Sequence, residues 1–296
     1  MITGIELAIT VDDLPVHGPT VQGYSRSRIL KFFLSAFEEK KIYGVVGFLN
    51  GIFVNSDNSI YRLLLIKWVK SQQVLGNHTF SHIDIRTVDA ERYIADIYEN
   101  EEIIEKIYQE KYVRYFRYPF FLEGETEEKR EKIKHYLNNS NYIIVPCTVD
   151  ILDFLWNEPV SLSLRLKDYD TLSKLRLLFL KTAQEKLIGS IEVSRAIFKR
   201  DIRHILCLHC GIATSIFMID LLNLYQNLGC HFITTQKAME DDVYQNRFNF
   251  DVSNESNFLS QAYKQFNIKM NEYVYPTVPR VELDSITNYL KEKVYA

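Results

Sequence analysis

Short apolar, β-favouring runs alternate with amphipathic helical stretches along most of this chain, and that alternation limits the possible folds more than any other feature. Leu7-Ala-Ile-Thr-Val11 reads as a buried strand that ends at two aspartates and is followed by a Pro- and Gly-containing loop through Gly23. Residues 27–41 place Ile29, Leu30, Phe33, Leu34 and Phe37 on one helical face, and residues 43–49 form a second strand. The pattern continues with a helix over 59–71, a strand over 73–76, a helix over 89–109, a strand over 115–117, a helix over 125–138 and a strand over 142–149. A strongly helical segment over 170–199 precedes a strand over 204–208, a helix over 215–228 and a last strand over 231–234. Strands joined through helices need crossover connections, which predicts an α/β fold with a largely parallel sheet or barrel of about seven βα units.

A chain of 296 residues is within reach of a single barrel. We expect the barrel over residues 1–242, with a helical insertion at about 157–203. From residue 243 to 296 the text loses periodicity until about Asp284 and reads as a C-terminal appendage packed on the barrel. The 35 basic and 38 acidic side chains leave a net charge of −3, so no overall basic field exists to attract nucleic acid. Glu6 interrupts the opening apolar run, and no later run is long enough to cross a bilayer, so neither an export signal nor a membrane span is expected. Cys147, Cys207, Cys210 and Cys230 are too few and scattered for a disulfide framework, and reduced thiols are expected. Oligomeric state is left open.

Five local signals carry chemistry. Asp12-Asp13 closes the first strand, where adjacent buried carboxylates need a cation or donors to offset their desolvation. His78 and His82 stand four apart, a spacing that on a helical turn lets two imidazoles close on one metal ion, with Asp84 near enough to support them. Arg117-Tyr-Pro-Phe120 follows another strand, placing a guanidinium suited to a carboxylate beside a backbone fixed by proline. Asp150-Ile-Leu-Asp153-Phe154 follows the strand over 142–149, and Leu206-Cys-Leu-His209 ends a further one. Taken singly, these have bland readings as turns, caps or core histidines. Cys207 and Cys210 flank His209, but no second cysteine pair exists to close a structural zinc site. His135, His204 and His231 read as structural; His17 is kept apart because it lies in the loop beside Asp13. All five signals fall at C-terminal strand ends, where α/β barrels assemble their sites.

In this order, Thr10-Val-Asp12-Asp13, His78-x-x-x-His82, Arg117-x-Pro-Phe120, Asp150-x-x-Asp153-Phe154 and Leu206-x-Leu-His209 resemble the five motifs of the polysaccharide deacetylase (NodB-homology) family, carbohydrate esterase family 4. The resemblance implies a distorted (β/α) barrel of about seven strands and a hydrolase that removes acetyl groups from N-acetylated or O-acetylated sugars. It implies one divalent metal ion, most often zinc and sometimes cobalt or nickel, on Asp13, His78 and His82. Asp12 would be the general base that takes a proton from a water acidified by the cation, oriented by Arg117. The backbone N–H of Phe120 would help hold the oxyanion. His209 would be the general acid, kept protonated by Asp153. Asp150 would support Arg117 or the loop, and Leu208, Trp156 and His17 are expected near the acetylated carbohydrate. Val11 and Phe154 stand where the family more often has Phe and Trp, which changes the shape of the acyl pocket but no ligand. A related amidohydrolase acting on a non-sugar C–N bond, or a non-catalytic carbohydrate-binding barrel, are the alternatives.

Overall fold

The apolar run at the start of the chain becomes the longest strand, β1 (Ile5–Leu14), and everything else is arranged around it. In the computed structural model, which describes residues 4–15, 17–54, 59–108, 111–245, 258–265 and 277–295, β1 is followed by α1 (Arg26–Glu39) and β2 (Val46–Leu49). Next come α2 (Ser59–Lys70), β3 (Val74–Asn77), α3 (Ala90–Tyr108), β4 (Tyr115–Phe116), α4 (Glu127–Asn139) and β5 (Ile143–Ile144). After β6 (Val149–Asp150), the helices α5 (Asn157–Leu166) and α6 (Tyr169–Phe198) lead to β7 (His204–His209), α7 (Ile212–Asn227), β8 (Cys230–Ile233) and the short α8 (Thr235–Met239). The C-terminal region contributes α9 (Phe258–Gln265) and α10 (Arg280–Tyr295), which rest on α6 and α5. Its residues 246–257 and 266–276 lie outside the described residues. No described helix is long and apolar enough to cross a membrane.

Every strand pairing is parallel, in the order β5-β4-β3-β2-β1-β7-β6, with β8 also on β1. This is the curled half-barrel of seven strands that the alternation predicts. The length of β1 is what makes room for the eighth strand. Its Ile5 to Ala8 pair with β8 while its Thr10 to Leu14 pair with β2, and β7 runs along the other edge from Leu7 to Asp12. Strands buried on both faces read as continuous apolar runs, and Ile5, Leu7, Ala8, Ile9 and Val11 are each at most 1% exposed.

One expectation is corrected. The run over 142–149 is not one strand but two, β5 and β6, on opposite edges of the sheet. Pro146 between them has no N–H to give a ladder. The carbonyls of Val145 and Pro146 instead accept from the Arg117 guanidinium at 3.2 and 3.0 Å, so a side chain bridges the gap where the half-barrel fails to close. Between β6 and β7 the chain is helical, as α5 and α6.

Candidate active site

A regular strand sends successive side chains to opposite faces, so Asp12 and Asp13 should not share a site. They do because β1 carries a bulge there: Val11 pairs with Gly47 but Leu14 with Leu49, three residues of β1 against two of β2. Asp13 takes a left-handed φ of 60°, which aspartate tolerates better than most residues. Both carboxylates thereby reach the C-terminal mouth of the barrel, and Asp12 stands directly opposite His209 in the β1–β7 register.

The histidine pair is not on a helix, contrary to the expectation from its spacing. It lies in an irregular loop after β3, with left-handed φ at Thr79 (62°) and His82 (55°). Asparagines hold that loop in place of helical hydrogen bonds. Asn50 Nδ2 donates to the carbonyls of His78 and Thr79 at 2.8 and 3.0 Å. Asn77 Oδ1 accepts from Thr79 N and Asn100 Nδ2, both at 2.9 Å, and Asp96 accepts from Ser81 N at 2.9 Å. Asp84, expected to support the histidines, forms a bidentate pair with Arg86 instead.

The three expected ligands converge. His82 Nε2 and His78 Nε2 lie 3.5 and 3.7 Å from Asp13 Oδ1, and the ligand atoms of all three residues lie within 4.8 Å of one another. Ligands about 2.0–2.1 Å from a tetrahedral zinc would stand roughly 3.4 Å apart, so the spacing fits a small divalent cation. Asp13 Oδ1 is a buried oxygen with no hydrogen-bond partner. Leaving such an atom unpaired costs about 1–3 kcal/mol or more for a charged group, which a cation would offset. His78 Nδ1 is bonded to the carbonyl of Arg117 at 2.8 Å, so its Nε2 is the nitrogen turned to the site. Burial pushes the His78 imidazole down to about 4, which keeps it neutral as a ligand must be. Burial would raise Asp13, but the bond from His17 and the neighbouring imidazoles hold it well below the ordinary carboxylate range.

Asp12, Cys207 and His209 also lie close enough to one another to resemble a metal site. The oxygens of Asp12 are already engaged: Oδ1 accepts from Arg117 at 2.7 Å and Oδ2 from the Cys207 thiol at 3.3 Å. Burial also pushes that thiol well above its ordinary range, against the thiolate a metal would need. Burial likewise pushes against ionisation of Asp12, but the fully buried Arg117 beside it outweighs that and holds it below the usual carboxylate range. Arg117 Nη1 donates also to Thr10 Oγ1 at 2.7 Å, so a hydroxyl shares in fixing the pair.

His209 Nδ1 meets Asp153 Oδ1 at 2.7 Å, and Asp153 Oδ2 accepts from His209 N at 2.8 Å and from the Thr214 hydroxyl. Burial would lower the imidazole, but Asp153, Asp13 and Asp12 together raise it to about 10. It is a cation at neutral pH with Nε2 left to donate. Phe120 takes a left-handed φ of 58° after Pro119, and its ring stacks edge-on against His82 at 4.6 Å. Asp150, pushed up by burial, accepts from Leu152 N at 2.9 Å and so steadies its own loop rather than Arg117. His17 Nδ1 lies 2.7 Å from Asp13 Oδ2.

Leu208 and Trp156 do not face the mouth. Alternation on β7 turns Cys207 and His209 inward and Leu208 outward, where it is fully buried in the helical layer. Trp156 is fully buried edge-on against Phe179 of α6. Phe154 is instead the phenyl ring beside His209, 5.1 Å from it. Cys207 and Thr10 share strand parity with His209 and Asp12, a signal the sequence does carry, whereas nothing in the sequence marks Thr214 as a partner of Asp153.

The sequence profile described as Polysaccharide deacetylase matches residues 3–139, which hold Asp12, Asp13, His78, His82 and Arg117. No curated protein matches the chain. A chitin deacetylase from the fungal pathogen Colletotrichum lindemuthianum is similar in structure, with a TM-score of 0.55 at 17% identity over 80% of this chain and 88% of that one. A carbohydrate esterase family 4 pseudoenzyme from Bacillus anthracis gives 0.56 at 14% identity over 81% and 67%. A mutant of that pseudoenzyme with restored enzymatic activity gives 0.56 at 16% identity over 81% and 69%. At such identities the likeness is one of fold, and at about 80% of this chain it spans more of it than the profile does. The chain is thus similar to the polysaccharide deacetylase family over residues 3–139 and shares the NodB-like curled barrel with carbohydrate esterase family 4 structures.

Proposed function

We propose that the protein is a divalent-metal-dependent deacetylase of N-acetylated or O-acetylated sugars. The observation that carries this reading is the buried, unpartnered Asp13 Oδ1 facing two imidazoles, with a carboxylate and an imidazolium placed opposite each other beside it. When bound by Asp13, His78 and His82, a divalent cation supplies positive charge that acidifies a water and polarises an acyl group. Asp12, ionised and held by Arg117, takes the proton from the attacking water. The backbone N–H of Phe120 is assigned to the oxygen that gains charge at the acyl carbon. His209 donates its Nε2 proton to the departing nitrogen or oxygen, and Asp153 keeps that proton in place until then. Phe154 and the exposed Phe120 offer ring faces to a sugar. A barrel that only binds carbohydrate has no need for the base, the acid and all three ligands, which are present here together.

Acetate release from N-acetylglucosamine oligomers and from O-acetylated xylan, measured with added zinc and again with a chelator, tests the reading. Release that the chelator abolishes, and that Asp12→Asn lacks while still binding zinc, is expected. A zinc-loaded protein that releases acetate from neither substrate would move the reading to a non-sugar amide.

A further inference from the structure

The loop between β1 and α1 is anchored more heavily than a connection requires. Arg26, on the first turn of α1, donates through Nη1 to the carbonyl of His17 at 2.9 Å and through Nη2 to that of Gly18. Gly18 has a φ of +65°, and a Cβ there would come within 3.0 Å of Asn157 Nδ2, so the loop lies directly on the start of α5. Asn157 is itself fixed, accepting from Ala213 N at 3.1 Å. Arg28 ties down the far end through the carbonyl of Gly23 at 2.7 Å.

The consequence falls on His17. Its ring is set between the two halves of the site, 4.9 Å from the His209 ring and 5.9 Å from Phe154, with Nδ1 on Asp13 Oδ2 at 2.7 Å. Asp13 thus has one oxygen bonded and the other unpartnered beside His78 and His82. A carboxylate free to turn about its last bond can present either oxygen, or both, to a cation. A donor on Oδ2 removes that freedom.

We propose that His17 is a positioning residue for the cation, donating Nδ1–H to Asp13 Oδ2 so that Oδ1 alone faces the two histidines. This rests on the metal reading above and extends it to a side chain outside the three ligands. Partners of this kind typically set metal affinity by about 10–100-fold.

The test is zinc affinity of the full chain by competition with a chromophoric chelator, for wild type and for His17→Ala, His17→Asn and His17→Gln. The asparagine amide nitrogen falls where the imidazole Nδ1 stands, whereas the glutamine one falls a bond further out. We expect about 10–100-fold weaker binding for Ala and Gln and recovery of most of the loss for Asn. A role in packing alone would not separate Asn from Gln, two side chains of the same chemistry, so that comparison stands even if the alanine variant folds poorly. Equal affinity in all four proteins, or Asn no better than Gln, overturns the proposal while leaving the metal site intact. A wild type that binds no zinc overturns the metal reading itself and this inference with it.

Discussion

The carbonyl of Arg117 holds His78 Nδ1 at 2.8 Å while its guanidinium holds Asp12 Oδ1 at 2.7 Å. One buried residue therefore orients His78, a proposed metal ligand, through its backbone, and favours the ionised form of Asp12, the proposed base, through its side chain. The same guanidinium reaches Val145 and Pro146 across the break between β5 and β6. Under the proposed function, activity and the integrity of the barrel are linked at this point.

Arg117→Lys keeps the charge but cannot make the fork of bonds to Thr10, Asp12, Val145 and Pro146. Breaking a buried pair of this kind costs about 3–5 kcal/mol, visible as a lower urea midpoint. Acetate release should fall by about 100-fold or more, since Asp12 loses the partner that orients it. A variant with wild-type stability would show that the bridge across the break is dispensable.

The pH dependence turns on His209. Its acid form persists up to about 10, so kcat/KM should be flat through neutrality on the alkaline side and fall only as the pH rises through that value. Asp153→Asn removes the largest influence raising the imidazole, and the alkaline limb should move towards the ordinary value of about 6.5. Stability follows the same sign. A group raised in the folded state contributes fully below its unfolded value of about 6.5, and the contribution disappears as the pH climbs to about 10. An alkaline limb unmoved in Asp153→Asn would remove His209 from the role of acid.

Trp156 gives a contrast between site and core. With its ring fully enclosed against Phe179, Trp156→Ala should cost about 3–5 kcal/mol of stability and leave KM for an acetylated oligosaccharide within about twofold. Phe154→Ala, beside His209, should do the reverse. Thermal melts and initial rates on the two variants distinguish these outcomes.

What the sequence made legible was the set of residues at strand ends, because alternating periods mark where each strand stops. The face each residue occupies was harder to read. Asp12 and Asp13 share the mouth only through a bulge and a positive φ, neither of which the residue types announce. The spacing of His78 and His82 suggests a helical turn, yet Asn50, Asn77 and Asn100 supply the bonds that let an irregular loop serve. Leu208 and Trp156 lie near motif residues in sequence but face the opposite side, which strand parity shows for the first and only the turn over Asp153–Trp156 shows for the second. The break within 142–149, expected as a single strand, falls at Pro146, a residue that cannot donate to a ladder.

Under the proposed function, Asp13, His78 and His82 form a divalent-metal site that drives deacetylation. The most direct measurement is metal content by mass spectrometry on the purified full chain and on His78→Ala, with acetate release assayed on the same samples. About one zinc or similar ion per wild-type chain is expected, lost from the variant together with acetate release. A wild type that stays metal-free after incubation with zinc, nickel and cobalt would contradict it.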